Sequence, residues 1–171
     1  MKGIFMRKLI LIPLIILTFL LTSCEKSPAM GELLAYQNGD FSMTMRITDG
    51  DVFDAALTRE ASTLRLMLTG EAETEGIAFT QNESALMLSY GDIALPLPES
   101  TLSKASAWLS LFALSPDGLW KIRKDTLGGI AVYICAENEK GVTLYLDATT
   151  HLPLKITSQD GICVDILSVS P

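Results

Sequence analysis

From Phe41 the chain alternates apolar and polar residues, with Phe41, Met43, Met45 and Ile47 set between Ser42, Thr44, Arg46 and Thr48. A period of two is the mark of a strand buried on one face. A second strand, around Phe53 to Thr58, follows across Asp49-Gly50. A third, Thr63 to Thr69, sets Leu64, Leu66 and Leu68 against Arg65 and the threonines, while Met67 falls on the opposite phase. Shorter strand-like runs cover Ile77 to Thr80, Ala85 to Tyr90 and Ile93 to Leu95, and lead to Pro96-Leu97-Pro98.

The period then changes. Leu102, Ala105, Trp108, Leu109 and Phe112 recur at three- and four-residue spacing, which predicts one amphipathic helix. Ser100 or Thr101 can cap its start, and Ser115-Pro116 ends it. Strands return at Trp120 to Ile122, Ile130 to Glu137, Val142 to Asp147, Leu154 to Ser158 and Ile162 to Ser168.

Three hairpins share a three-residue loop that ends in glycine: Thr48-Asp49-Gly50, Glu139-Lys140-Gly141 and Gln159-Asp160-Gly161. A glycine in the left-handed conformation closes such a loop without strain. With that loop Met45 is expected opposite Phe53, Ile134 opposite Leu146 and Ile156 opposite Val164, and each pair brings apolar residues to one face. The reading is a mainly β (α+β) domain, an antiparallel sheet with one apolar concave face and a single amphipathic helix to cover it.

The N-terminus is of a different kind. Lys2, Arg7 and Lys8 precede an almost wholly apolar run from Leu9 to Leu21, as in a secretory signal. The run is shorter than the roughly 20 residues of a membrane-spanning helix, and Pro13 interrupts it. It closes on Leu21-Thr22-Ser23-Cys24, which resembles the bacterial lipobox. That resemblance implies cleavage after residue 23 and a diacylglyceryl group on Cys24. Two acyl chains make a durable anchor where one does not. The expected organisation is a signal at residues 1–23, a lipidated N-terminus and tether at 24–31, and one β-rich domain at 32–171. The expected location is the extracytoplasmic face of a cell membrane.

Cleavage removes three of the 13 basic residues and none of the 20 acids, which leaves a net charge of −10. Nucleic acid is excluded as a partner, and so is electrostatic adhesion to anionic lipid, since both need basic patches. The membrane partner is reached through the covalent lipid.

The search for reactive chemistry is mostly negative. No G-x-S-x-G, Walker loop, H-E-x-x-H or C-x-x-C occurs, so no catalytic residue, metal ligand or cofactor is assigned. His151, the sole histidine, reads as a solvent-exposed turn residue. Glu71, Glu73 and Glu75 read as a solvated acidic loop, without the Asp/Asn spacing of a calcium loop. Cys135 and Cys163 would lie in an oxidising compartment, but a meander sets two strands between them, roughly 14 Å and beyond disulfide reach.

The closing segment Leu144-Tyr145-Leu146-Asp147 … Leu152-Pro153-Leu154-Lys155-Ile156, with a lipid anchor and a helix set between two groups of strands, resembles the lipoprotein carriers of the LolA, LolB and LppX type. The resemblance implies a strongly curved sheet or unclosed half-barrel with the helix on its concave face and an apolar cavity for acyl chains. Met43, Met45, Leu66, Leu68, Trp108 and Phe112 are then candidates to line a site for a lipid or other apolar ligand; ordinary core packing suits the same residues equally well. The alternative is a non-catalytic structural or protein-interaction lipoprotein of the cell envelope with a filled core.

Overall fold

The computed structural model describes residues 27–70, 73–82, 85–97 and 104–170. The signal segment, Cys24, Glu71 and Leu102 lie outside the described residues. In chain order the elements are α1 (Met30–Leu33), a 3-10 turn (Ala35–Asn38), β1 (Phe41–Asp49), β2 (Asp51–Glu60), β3 (Thr63–Leu68), β4 (Ala78–Gln81), β5 (Leu86–Tyr90) and β6 (Ile93–Leu97). Then come α2 (Lys104–Ser110), β7 (Trp120–Leu127), β8 (Ile130–Glu137), β9 (Val142–Asp147), β10 (Pro153–Ser158) and β11 (Cys163–Ser170). Helix α1 opens within the stretch read from the sequence as tether, and Met30 and Leu33 on it are buried.

The strands form one antiparallel, unclosed sheet in the order β6-β5-β4-β3-β2-β1-β11-β10-β9-β8-β7. Two meanders are joined where β1 pairs with β11. That leaves β6 and β7 as free edges, and both are poor templates for further pairing. Pro96 in β6 lacks a backbone donor, and β7 carries Lys121, Arg123, Lys124 and Asp125.

Strict alternation in β1 buries Phe41, Met43, Met45 and Ile47 and exposes the residues between them. The buried set joins Leu57, Leu66, Leu144, Leu146, Ile156 and Val164 from the neighbouring strands in one core. Helix α2 lies on this face: Trp108 and Leu109, with Phe112 just beyond the helix, belong to the same cluster. At its start Lys104 Nζ donates to the Asp49 carbonyl oxygen at 3.0 Å, and Trp108 Nε1 donates to Asp49 Oδ2 at 3.0 Å. The indole packs on Phe53, ring centroids 5.2 Å apart.

At the centre of the sheet the opposite face is polar. One cross-strand row places Asp54, Arg46, Asp165 and Lys155 side by side on β2, β1, β11 and β10. Charges alternate along it, with Arg46 Nε on Asp54 Oδ1 at 2.9 Å and Lys155 Nζ on Asp165 Oδ1 at 3.2 Å. Opposite charges set directly across strands favour this register over a slipped one.

The hairpin registers divide. Ile156 faces Val164 as expected, with Gly161 at a φ of 88° in the loop. In β1–β2 Met45 faces Ala55, and Phe53 faces Ile47 instead. The turn tip sits at Gly50, and the two-residue shift keeps every side chain on its expected face. The β8–β9 expectation fails by one residue: Ile134 faces Tyr145, and Leu146 faces Tyr133. Glu137 pairs with Val142, so the loop is Asn138 to Gly141, and Glu137 Oε2 accepts the Lys140 N–H at 3.0 Å. That carboxylate holds the longer turn. The inner face of β8 is therefore Tyr133 and Cys135, while Val132 and Ile134 are buried on the other side. Strands β9 and β10 separate Cys135 from Cys163, and both thiols are free.

Candidate functional site

The six residues expected to line an apolar site do converge on the concave face, but they are packed there. Met43, Met45, Leu66, Leu68, Trp108 and Phe112 are all buried in the common core. Open volume lies beside them.

A cavity of about 430 Å³ opens where α1 and the 3-10 turn meet the ends of β2, β3 and β4 and the chain leaving α2. Its apolar wall is Leu34, Leu64, Ala113, Leu114 and Pro116, and its polar wall is Gln37, Asn38, Arg59, Ser62, Gln81 and Asn82. Register explains the mixture. Arg59 and Gln81 occupy inward-facing positions on either side of Leu64, in a row that continues through Leu86 to Leu97. Strand alternation carried past its last apolar residue thus puts a cation and an amide on the apolar face.

Among the described residues Arg59 is the only ionisable one lining this cavity. Its Nε donates to the Ala61 carbonyl oxygen at 3.3 Å, and no carboxylate among the described residues pairs with it. Gln81 Oε1 is buried without a hydrogen-bond partner, an arrangement that costs on the order of 1–3 kcal/mol unless something donates to it. Gln37 is buried and donates through Nε2 to the Tyr36 hydroxyl at 3.1 Å. Burial pushes that hydroxyl up to about 12, so it stays neutral and does not offset Arg59. A more open depression adjoins this end of the sheet, around Asp40, Ser42, Thr58, Glu60 and Ala61, and Arg59 borders it as well.

The cavity continues into an uncovered part of the concave face. Along the next row, Leu66 is fully buried, Phe79 and Leu88 are half-buried, and Leu95 is 54% exposed. Beyond it Tyr90 pairs with Ile93, which is 62% exposed. The apolar pattern therefore runs on across β4, β5 and β6 after the packing that hides it has ended. None of this was singled out in the sequence, where Arg59 and Gln81 pass for strand-end polar residues. Their spacing of two from the inward-facing Leu57 and Phe79 was the available signal.

Elsewhere, His151 is half-buried rather than solvent-exposed: its backbone has φ of 58° and its ring meets the edge of Tyr133, centroids 5.8 Å apart. Burial pushes the Cys135 thiol up to about 12, which makes it a packing group and not a nucleophile. Among the described residues no three His, Cys, Asp or Glu side chains come together as a metal site, and no helix is long and apolar enough to cross a membrane.

No family model matches the chain, and no curated protein matches it. Solved structures do. An uncharacterized conserved protein from Thermus thermophilus superposes with a TM-score of 0.58 at 10% identity, over 82% of this chain and 84% of that one, which establishes a shared fold. A LolA superfamily protein from Nitrosomonas europaea overlays at 0.40 with 9% identity, over 84% of this chain and 94% of its own. The lipoprotein LppX of Mycobacterium tuberculosis overlays at 0.39 with 15% identity, over 80% and 93%. Those two scores are too low to carry an argument about this chain.

Proposed function

We propose that the chain is a lipid-anchored extracytoplasmic protein that binds a lipid or other apolar molecule in the unclosed part of its half-barrel. The observation that carries this reading is the uncovered apolar face of β4–β6 running into the cavity beside Arg59. Leu88, Leu95 and Ile93 would otherwise stand in water, and exposed contiguous apolar surface marks binding sites. The cavity volume falls within the roughly 300–1,000 Å³ of small-molecule sites. Attachment rests on the Leu21-to-Cys24 motif. No reaction is needed of the site, and the reading is non-catalytic.

The test is titration of the soluble mature domain with a fluorescent fatty acid. Saturable binding that is lost in Leu95→Asp is expected. No saturable binding would refute the reading and favour the second one, a structural or protein-interaction lipoprotein. The burial of all six expected lining residues in the core speaks for that alternative. Anchoring is tested separately by metabolic labelling with radioactive palmitate: the wild type should take up label, and label retained by Cys24→Ala would exclude a lipid on that residue.

A further inference from the structure

The cavity and the open strip differ in chemistry, and the difference selects a ligand. We infer that the site takes an anionic amphiphile whose head carries a hydrogen-bond donor, with Arg59 holding the charge, Gln81 Oε1 accepting the donor, and the acyl chain lying over Leu86, Leu97, Leu88 and Leu95. The inference rests on the lipid-binding reading and adds the class of head group to it.

Three observations converge. Among the described residues the one ionisable side chain of the cavity is a cation, and no carboxylate there pairs with it, so an anion matches its charge. The buried carbonyl oxygen of Gln81 lacks a donor, and a hydroxyl or amide N–H on the ligand would supply it. The two groups sit two strands apart in one cross-strand row, about 10 Å between backbones, with Leu64 between them. A head of glycerophosphate size can reach both. From Gln81 the same row continues to Leu86 and Leu97, so a chain leaving the head meets apolar side chains at once. A mature domain with a net charge of −10 would repel an anion in general, which makes the Arg59 cation in this half-open cavity the selective element.

Four ligands with one palmitoyl chain separate the terms: lysophosphatidylglycerol has charge and donors, palmitate has charge alone, monopalmitin has donors alone and methyl palmitate has neither. Binding to the soluble mature domain should be tightest for lysophosphatidylglycerol and weakest for methyl palmitate. Arg59→Gln should weaken the two anions by about tenfold and leave monopalmitin unchanged, with Arg59→Lys restoring part of the loss. Gln81→Leu should weaken lysophosphatidylglycerol and monopalmitin and spare palmitate. Melting curves of the variants establish that each is folded, and palmitate binding by Gln81→Leu and monopalmitin binding by Arg59→Gln serve as internal controls. Equal affinity of the wild type for all four would overturn the head-group assignment and leave apolar binding intact. Binding of none would overturn both.

Discussion

Trp108→Ala is the perturbation that best separates the packed half of the concave face from its open half. The side chain is 4% exposed, packed at a tilt against Phe53 and hydrogen-bonded to Asp49 Oδ2. Truncating a buried tryptophan costs about 3–5 kcal/mol, a figure that already contains the lost contacts with Phe53. Losing the N–H bond to a carboxylate adds about 1 kcal/mol, held low because Asp49 stays partly hydrated. Small domains are stable by only about 5–15 kcal/mol, so the variant should be left marginal or unfolded. Trp108→Phe keeps an aromatic ring near Phe53 and loses the donor, and should cost about 1–2 kcal/mol. Urea unfolding followed by far-ultraviolet circular dichroism reads both, with an unchanged m-value showing that the same surface is exposed. A loss below about 1 kcal/mol for the alanine variant would refute the reasoning, because it would mean that Trp108 is not packed as described.

The mirror experiment is Leu95→Asp, which should leave the free energy of unfolding within about 0.5 kcal/mol of the wild type, since a side chain 54% exposed gives up little on replacement. Gly161→Val should lower stability by about 1–2 kcal/mol more than Asp160→Ala, because a β-branched residue is strained at the left-handed φ of Gly161; equal melting temperatures would refute that turn. Asp147 accepts the backbone N–H groups of Thr150 and Thr149, which hold its carboxyl below the usual range. Its contribution is therefore present above the unfolded carboxylate range near pH 4 and is lost as pH falls through the depressed folded value, so the Tm gap between wild type and Asp147→Ala should close in acid. In the native domain iodoacetamide should reach Cys163 before Cys135, whose thiol is buried and hard to ionise; the reverse order in peptide mass mapping would contradict the inward register of β8.

How much of this was legible depended on how plainly each strand declares its phase. Strand β1 alternates over seven residues, and its inner face could be read directly. The β10–β11 hairpin was placed correctly because only one loop length put Ile156 opposite another apolar residue. In β8 the run Ala131-Val132-Tyr133-Ile134-Cys135-Ala136 has no polar residue to mark an outer face, so the register hung on the turn. There a buried glutamate added a residue to the loop, a tertiary effect that local turn chemistry does not report. Helix α1 is a single turn, too short to show a period. The cavity was missed for a related reason: Arg59 and Gln81 come from strands joined by pairing with β3, and only the register reveals that they share a wall.

The pairing of β1 with β11 also decides how the protein must fold. These two strands lie at the centre of the sheet but are the first and last strands in chain order; Thr44 and Ser168, 124 residues apart, share a hydrogen bond across the seam. The six strands from β1 to β6 can assemble locally, yet one side of β1 stays an open edge until β11 arrives. Contacts so distant make for slow folding, and an open central edge with one apolar face is an aggregation hazard meanwhile. A chain that emerges N-terminus first from a translocation pore would carry that hazard until its final strand is through, so truncations removing β11 should be lost to aggregation or proteolysis rather than accumulate as a stable half-sheet.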